Sequence, residues 1–270
     1  MTDHRSRSLV AHRPGPFEPR TEDGTTFGTA TSSVLARTTA AVLAAYVALT
    51  AVWLLLGFAV TDGPLGALRN LDERLANDLA ARRTARLDDI AYVVAHLADT
   101  WIKIGATALL ALAFWLAWRR WHEAAVLAVS LIVEAAVFIT VTTIVQRPRP
   151  AVPQLEQSPV SSSFPSGHTA AAAVYAALAV VVFWHTRSRG WRGLAVVLSL
   201  LAPFAIGAAR VYQGMHHLSD VVGGAALGFV TVAVVAAIVG RPGDQAPHAS
   251  RSWVKRKLLP DGSRNEESMP

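Results

Sequence analysis

Six long apolar runs, residues 40–60, 100–118, 124–145, 169–184, 193–208 and 221–240, decide most of what this chain can fold into. A helix needs roughly 20 mostly apolar residues to cross the hydrocarbon core of a bilayer. Within that core its backbone polar groups must be paired inside the segment, which favours helices over open strands. The runs therefore predict an all-α integral membrane protein with six transmembrane helices in a bundle. Composition agrees, since 52% of residues are hydrophobic and only 16% charged, outside the usual soluble balance. Buried helices of a soluble all-α protein are the competing reading, and six such runs weigh against it. The chain has no cysteine, which excludes disulfides and thiolate sites.

Loop charges orient the bundle. With the amino terminus in the cytoplasm, sixteen Lys and Arg fall on that side and eight on the other, with Lys103 left inside a span. The positive-inside bias then puts both termini in the cytoplasm of a multi-pass cell (inner or plasma) membrane protein. Residues 1–33 hold no apolar signal-like core and read as a polar cytoplasmic tail. Residues 34–240 form the six-helix domain. Residues 241–270 read as a basic cytoplasmic tail, with Arg251, Lys255, Arg256 and Lys257 around Trp253 and Leu258. The formal charge of +6 is scattered between apolar runs, which suits anionic lipid headgroups and not nucleic acid. Between the first two runs, Leu65, Leu68, Leu71, Leu75 and Leu79 recur at steps of three and four, predicting a helix with one apolar face that lies along the interface.

This topology brings the loops after runs three and five to the same, non-cytoplasmic face. The first reads "VQRPRPAVPQL", with Arg147 and Arg149, and leads into "SSFPSGHTA". The second reads "ARVYQGMHHLSDVVGG", with Arg210, His216, His217 and Asp220. Each piece has a plain structural reading. Arg147 can snorkel to the interface, Ser166 and Thr169 can cap the fourth helix and Asp220 the sixth, and His217 can be an exposed neighbour. Glu134 is a costly carboxylate within a span, with no partner that the sequence names.

Together the pieces fit one reaction. A phosphate monoester repels nucleophiles, so positioned cations and backbone donors must hold its oxygens. Arg149, Arg210 and the N–H groups of Ser166 and Gly167 at a helix start can do this. A histidine can attack phosphorus when a carboxylate holds its other ring nitrogen, and His216 and Asp220 are four apart. A second imidazole, His168, can protonate the leaving alkoxide and then activate water.

These segments resemble the type 2 phosphatidic acid phosphatase family, also called lipid phosphate phosphatases. The family's signature is Lys-x6-Arg-Pro, Pro-Ser-Gly-His and Ser-Arg-x5-His-x3-Asp. Pro165-Ser166-Gly167-His168 matches the second part, and Arg210, His216 and Asp220 match the third at the right spacings. The resemblance implies that His216 is the nucleophile that forms a phosphohistidine, that Asp220 orients it, and that His168 is the acid. It implies that Arg149, Arg210, Ser166 and Gly167 bind the phosphoryl group, at a site formed by loops 3–4 and 5–6 on the outer membrane face. It implies no metal or other cofactor, and a lipid phosphate or diphosphate as substrate: phosphatidic acid, phosphatidylglycerol phosphate or a polyprenyl diphosphate.

Two positions depart from the pattern. Thr142 stands where the lysine belongs and Ala209 where the serine does, leaving Arg147 as the nearest spare cation. Two other readings stay open at this point: a zinc hydrolase using His168, His216, His217 and Asp220 as ligands, and a catalytically weakened lipid-phosphate binding or transport protein.

Overall fold

The structure, a computed structural model, describes residues 26–118, 121–158 and 160–240. Among them are nine α-helices and no strand: α1 (Thr26–Thr61), α2 (Leu68–Ala81), α3 (Ala85–His96), α4 (Thr100–Trp118), α5 (His122–Val145), α6 (Gly167–Val174), α7 (Ala177–His185), α8 (Arg189–Tyr212) and α9 (Leu218–Val239). The chain forms two compact units, Met1–Thr39 and Ala40–Pro270. In its described part the first is the start of α1, so the polar tail expected over 1–33 is helical from Thr26 onward. The basic segment expected over 241–270, and residues 1–25 of the amino-terminal tail, lie outside the described residues. The remaining helices and the site belong to the second unit.

Five helical stretches are long and apolar enough to cross a membrane: Val34–Thr61, His122–Val145, Gly167–His185, Arg189–Tyr212 and Leu218–Val239. The sixth expected crossing, over 100–118, passes that test only as a joint element with α3, the two meeting at a 48° bend. This is the pattern of a multi-pass membrane protein with five continuous candidate spans and, in α3 and α4, an elbow of the kind that forms a broken span or a re-entrant loop. At the break Ala98 N–H donates to Ala95 O (3.0 Å) and Asp99 N–H to His96 O (3.0 Å), tight turns that end α3 before α4 restarts. The fourth crossing is interrupted as well, with Tyr175 N–H on Ala172 O (3.2 Å) and Ala176 N–H on Ala173 O (3.0 Å) between α6 and α7.

The short α6 sits at the centre, packed on α5, α8 and above all α9. Its alanines 170–173 are buried, and small residues on α9 let the backbones close in. A Cβ built on Gly224 would lie 2.4 Å from Ser166 O, and one on Gly228 would lie 2.2 Å from Ala170 O. Gly228→Ala is therefore expected to destabilise the fold by about 1–3 kcal/mol, as overpacking does, seen as a lowered melting midpoint in detergent. Across the bundle, Trp53 Nε1 donates to Gly223 O at 3.0 Å and the Tyr46 hydroxyl lies 2.9 Å from that of Thr140. These bonds tie α1 to α9 and to α5.

The leucine-faced helix expected near residues 65–79 is α2. Leu75 and Leu79 line an apolar cleft of about 620 Å³ with Pro203, Phe204 and Phe229, while Leu68 and Leu71 are exposed. Asp72 and Ala76 are its buried residues, so a carboxylate of this helix points into the protein.

Candidate active site

After α5, Gln146 adopts a left-handed conformation (φ 51°) that turns the chain out of the helix. The following loop folds back on itself. Arg147 N–H donates to Ser162 Oγ (3.2 Å), Ser163 N–H to Arg147 O (2.8 Å) and Ser163 Oγ–H to Pro148 O (2.9 Å). This brings the start of α6 back beside the end of α5. On the other side, Gly214 (φ 73°) turns the chain from α8 toward α9, and Leu155 N–H donates to Gln213 O (3.1 Å), stitching the two loops together. His217 and Asp220 open α9 with a capping box, His217 N–H donating to Asp220 Oδ2 at 2.8 Å.

Between these loops and the elbow lies a cavity of about 450 Å³. Of the seven expected site residues, Arg149, Gly167, His168, Arg210 and His216 line it. Ser166 and Asp220 lie behind its wall. Ser166 is fully buried, its N–H donates to Asp220 O (3.0 Å), and its hydroxyl bonds that of Thr169 (3.0 Å). The N–H expected to hold phosphate instead clips the start of α6 to the start of α9, and Gly167 is left as the member of the pair that meets the cavity.

His216 is 4% exposed, and its Nδ1 lies 2.7 Å from Ser163 O. A carbonyl only accepts, so Nδ1 carries the proton and the Nε2 lone pair is free. The carboxylate expected to orient this ring is further off, with Asp220 Oδ2 at 3.9 Å from Nδ1. Ser163 O supplies the orienting bond, and Asp220 supplies charge at close range. Burial pushes the His216 pKa down to about 3, with Asp220 pulling the other way and the charges of Arg210 and Arg149 adding to the fall. The imidazole is neutral near neutral pH.

His217, expected as an exposed neighbour, is 3% exposed. It is held between Asp220 (Nδ1 to Oδ2, 3.2 Å) and Glu73 of α2 (Nε2 to Oε1, 3.1 Å). Burial opposes its protonation, but the bonds to Asp220 and Glu73 outweigh that and raise its pKa. Arg147 is not a spare or snorkelling cation either. It is 3% exposed, its two arms reaching Asp72 Oδ2 (3.0 Å) and, on the other side, Asp220 Oδ1 with Ser219 Oγ (2.7 Å).

Arg149 donates to Met215 O, to Ser158 Oγ (2.6 Å) and to Val160 O (3.0 Å). Burial, then the nearby charge of Arg210, lowers its pKa against the pull of Asp220. Arg210 pairs with Glu156 and with Gln213 Oε1 (3.0 Å), and its buried Nε has no hydrogen-bond partner among the described residues. His168 Nε2 lies 3.2 Å from Asp99 Oδ1 at the elbow.

The two departures from the signature also resolve. The Thr142 hydroxyl donates to Phe138 O (2.8 Å) within its own helix, and Ala209 packs against Ala91 and Ala95 of α3. Lys103 of α4, left inside a span by the sequence, lines the same cavity as Arg149 and Arg210, and so does Glu134, 2% exposed on α5. Sequence reasoning named Glu134 without a partner and did not connect Lys103, Asp99 or Glu156 to the site. Asp99, Lys103 and Glu134 share one signal, a charge beside or within an apolar run, and Glu156, in the loop before α6, carries none. Of the four side chains weighed as zinc ligands, His217 and Asp220 bond each other and His216 Nδ1 bonds Ser163 O. Among the described residues no three His, Asp or Glu side chains converge as a ligand set.

Comparison with known proteins adds the lineage. The fold is similar to the crystal structure of the first transmembrane PAP2 type phosphatidylglycerolphosphate phosphatase from Bacillus subtilis, at 23% identity and a TM-score of 0.61 over 71% of this chain and 94% of that one. The crystal structure of Aquifex aeolicus LpxE is matched over 61% of this chain and 94% of that chain, at 25% identity and a TM-score of 0.48. A curated relative, the bacitracin transport permease protein BcrC of Bacillus licheniformis, is 31% identical over 86 residues, 32% of this chain. The match spans 38% of that relative's length. Residues 123–244, the segment that carries α5 to α9 and all seven expected site residues, match the family model of the PAP2 superfamily.

Proposed function

We propose that the protein is an integral membrane phosphatase that removes the terminal phosphate of a lipid phosphate or diphosphate through a phosphohistidine on His216. The observation that carries this reading is the bond from His216 Nδ1 to Ser163 O at 2.7 Å, which leaves Nε2 as a lone-pair nucleophile in a cavity shared with Arg149, Arg210 and His168. In the first step Nε2 attacks phosphorus, the bond from phosphorus to the lipid oxygen breaks, and His168 gives that oxygen its proton. In the second step His168 takes a proton from water, the water oxygen attacks phosphorus, and inorganic phosphate leaves with His216 regenerated.

Arg149, Arg210 and Gly167 hold the phosphoryl oxygens, Asp99 steadies His168, and Lys103 adds the cation that Thr142 does not provide. Phosphatidic acid, phosphatidylglycerol phosphate and polyprenyl diphosphate all meet this chemistry. The distribution of Lys and Arg supports a site on the non-cytoplasmic face, with both termini in the cytoplasm.

The test is rapid quenching with terminally radiolabelled lipid phosphate. Label retained on the protein in base, lost in acid and formed equally with chelator present supports the reading. Turnover without bound label, turnover abolished by chelator, or lipid-phosphate binding with no phosphate release overturns it. A pH prediction follows from the depressed His216 pKa of about 3. The rate of label capture is expected to hold steady or rise from about pH 7 to about pH 5, since an ordinary histidine would lose its lone pair near 6.5. A fall with a midpoint near that ordinary value counts against a buried, neutral nucleophile.

A further inference from the structure

The two side chains that hold Asp220, Arg147 and His217, are themselves anchored from outside both outer loops. Asp72 of α2 is 5% exposed. Its Oδ2 accepts from Arg147 (3.0 Å) and from the Ser219 hydroxyl, and its Oδ1 accepts from Ser219 N–H (3.1 Å). The other arm of Arg147 ends on Asp220 Oδ1. Beside it, Glu73 Oε1 bonds His217 Nε2 (3.1 Å) and its Oε2 accepts from Ala151 N–H (3.3 Å), while His217 Nδ1 lies 3.2 Å from Asp220 Oδ2. Two parallel bridges, Asp72–Arg147–Asp220 and Glu73–His217–Asp220, thus run from adjacent residues of one helix to the two oxygens of one carboxylate.

We infer that Asp72 and Glu73 are positioning residues of the phosphatase reaction, fixing both oxygens of Asp220 through Arg147 and His217. This rests on the reading of His216 as the nucleophile. As His216 gains a bond to phosphorus its ring becomes cationic, and the carboxylate 3.9 Å from Nδ1 stabilises that charge only while it stays in place. Docking of α2 alone does not call for the network. Leu75 and Leu79 already seat the helix in the apolar cleft, and its other charged residues Arg69, Arg74 and Asp78 are exposed. A buried ion pair is weak support for stability, because desolvation offsets much of the attraction. The bridge through Glu73 is a charged one. Burial works to raise the Glu73 pKa, but the bond from His217, with that from Ala151 N–H, outweighs it and holds the carboxyl below its ordinary value.

The experiment uses the full chain in detergent micelles with whichever of phosphatidic acid, phosphatidylglycerol phosphate or polyprenyl diphosphate it cleaves fastest. Asp72→Asn and Glu73→Gln keep size and hydrogen-bonding capacity and remove one charge each. Each is expected to lower kcat at least about tenfold, the scale of a small misplacement of a catalytic group, with KM within about twofold and the melting midpoint close to wild type. Asp78→Asn on the same helix is expected to behave as wild type. Normal kcat in Asp72→Asn and Glu73→Gln, or a loss confined to KM, overturns the inference. Should Asp72→Asn reduce the folded fraction, Glu73→Gln and Arg147→Lys are judged by the same split, Arg147→Lys retaining a cation but not the fork. His216→Ala in parallel separates the two levels. An inactive His216→Ala beside a fully active Asp72→Asn sinks this inference alone, whereas an active His216→Ala sinks the nucleophile reading and this one with it.

Discussion

His216→Ala is expected to abolish phosphate release, with a loss of about 10⁴-fold or more, as when a covalent nucleophile is deleted. Among the described residues the neighbouring imidazoles are engaged with carboxylates, His96 Nε2 lying 3.4 Å from Asp99 Oδ2. Both nitrogens of His217 face carboxylates, and His168 Nε2 faces Asp99. The alanine variant also leaves Ser163 O without its donor, at a cost in stability of about 1–3 kcal/mol for a buried unsatisfied acceptor. His216→Gln, whose amide can still donate to that carbonyl, is expected to recover part of the stability and none of the turnover. Phosphate release measured beside melting in detergent separates the two effects, and turnover surviving in either variant rejects the assignment.

The second large effect is expected at Arg210. This side chain is 3% exposed, pairs with Glu156 and faces the cavity beside His168 and His216. Arg210→Lys keeps a positive charge but loses the planar fork that matches two phosphate oxygens. It is expected to lower kcat/KM by about 10²–10³, the range for removing a donor that meets transition-state charge. Arg210→Ala is expected to be worse, because the Glu156 carboxylate loses its arginine partner, keeping only the longer contact to His96 (3.7 Å), in a cavity that must admit an anion. Adding Glu156→Gln to Arg210→Ala is then expected to restore part of the loss, a non-additivity that marks the two residues as coupled. Equal activity in the single and double variants would show that Glu156 does not act on the substrate site.

The helices, and much of the cavity, were legible in the sequence because both are written locally. Apolar runs about as long as a bilayer is thick declare themselves, and two loops only a few residues from their helix ends bring Arg149, Gly167, His168, Arg210 and His216 together once the crossings alternate. What the sequence hid depends on distant partners. Asp72 and Glu73 read as ordinary charges of the amphipathic stretch and Asp99 as the residue before an apolar run, and only folding sets the first two on Arg147 and His217 and the third on His168. The adjacent pair His216 and His217 shows the limit most sharply. Spacing alone joins Asp220 to His216, but the backbone at the start of α9 turns the carboxylate toward His217, and a carbonyl, which sequence patterns do not reveal, orients the His216 ring. Ser166 likewise reads as a phosphate donor until the helix contact with Asp220 O claims its N–H.

The clip between Ser166 and Asp220, with the backbone contacts at Gly224 and Gly228, makes the heads of α6 and α9 one stiff wall carrying His168, the proposed acid, and ending beside His216. The facing wall is built otherwise, from the elbow with Asp99 and Lys103 and from the loop that carries Glu156. Selection for a new headgroup should therefore act asymmetrically. Variants that accept a bulkier or differently charged lipid are expected to gather around residues 96–103 and Glu156, whereas the stiff wall tolerates little change, so that a single scaffold can alter its diet without re-tuning its chemistry.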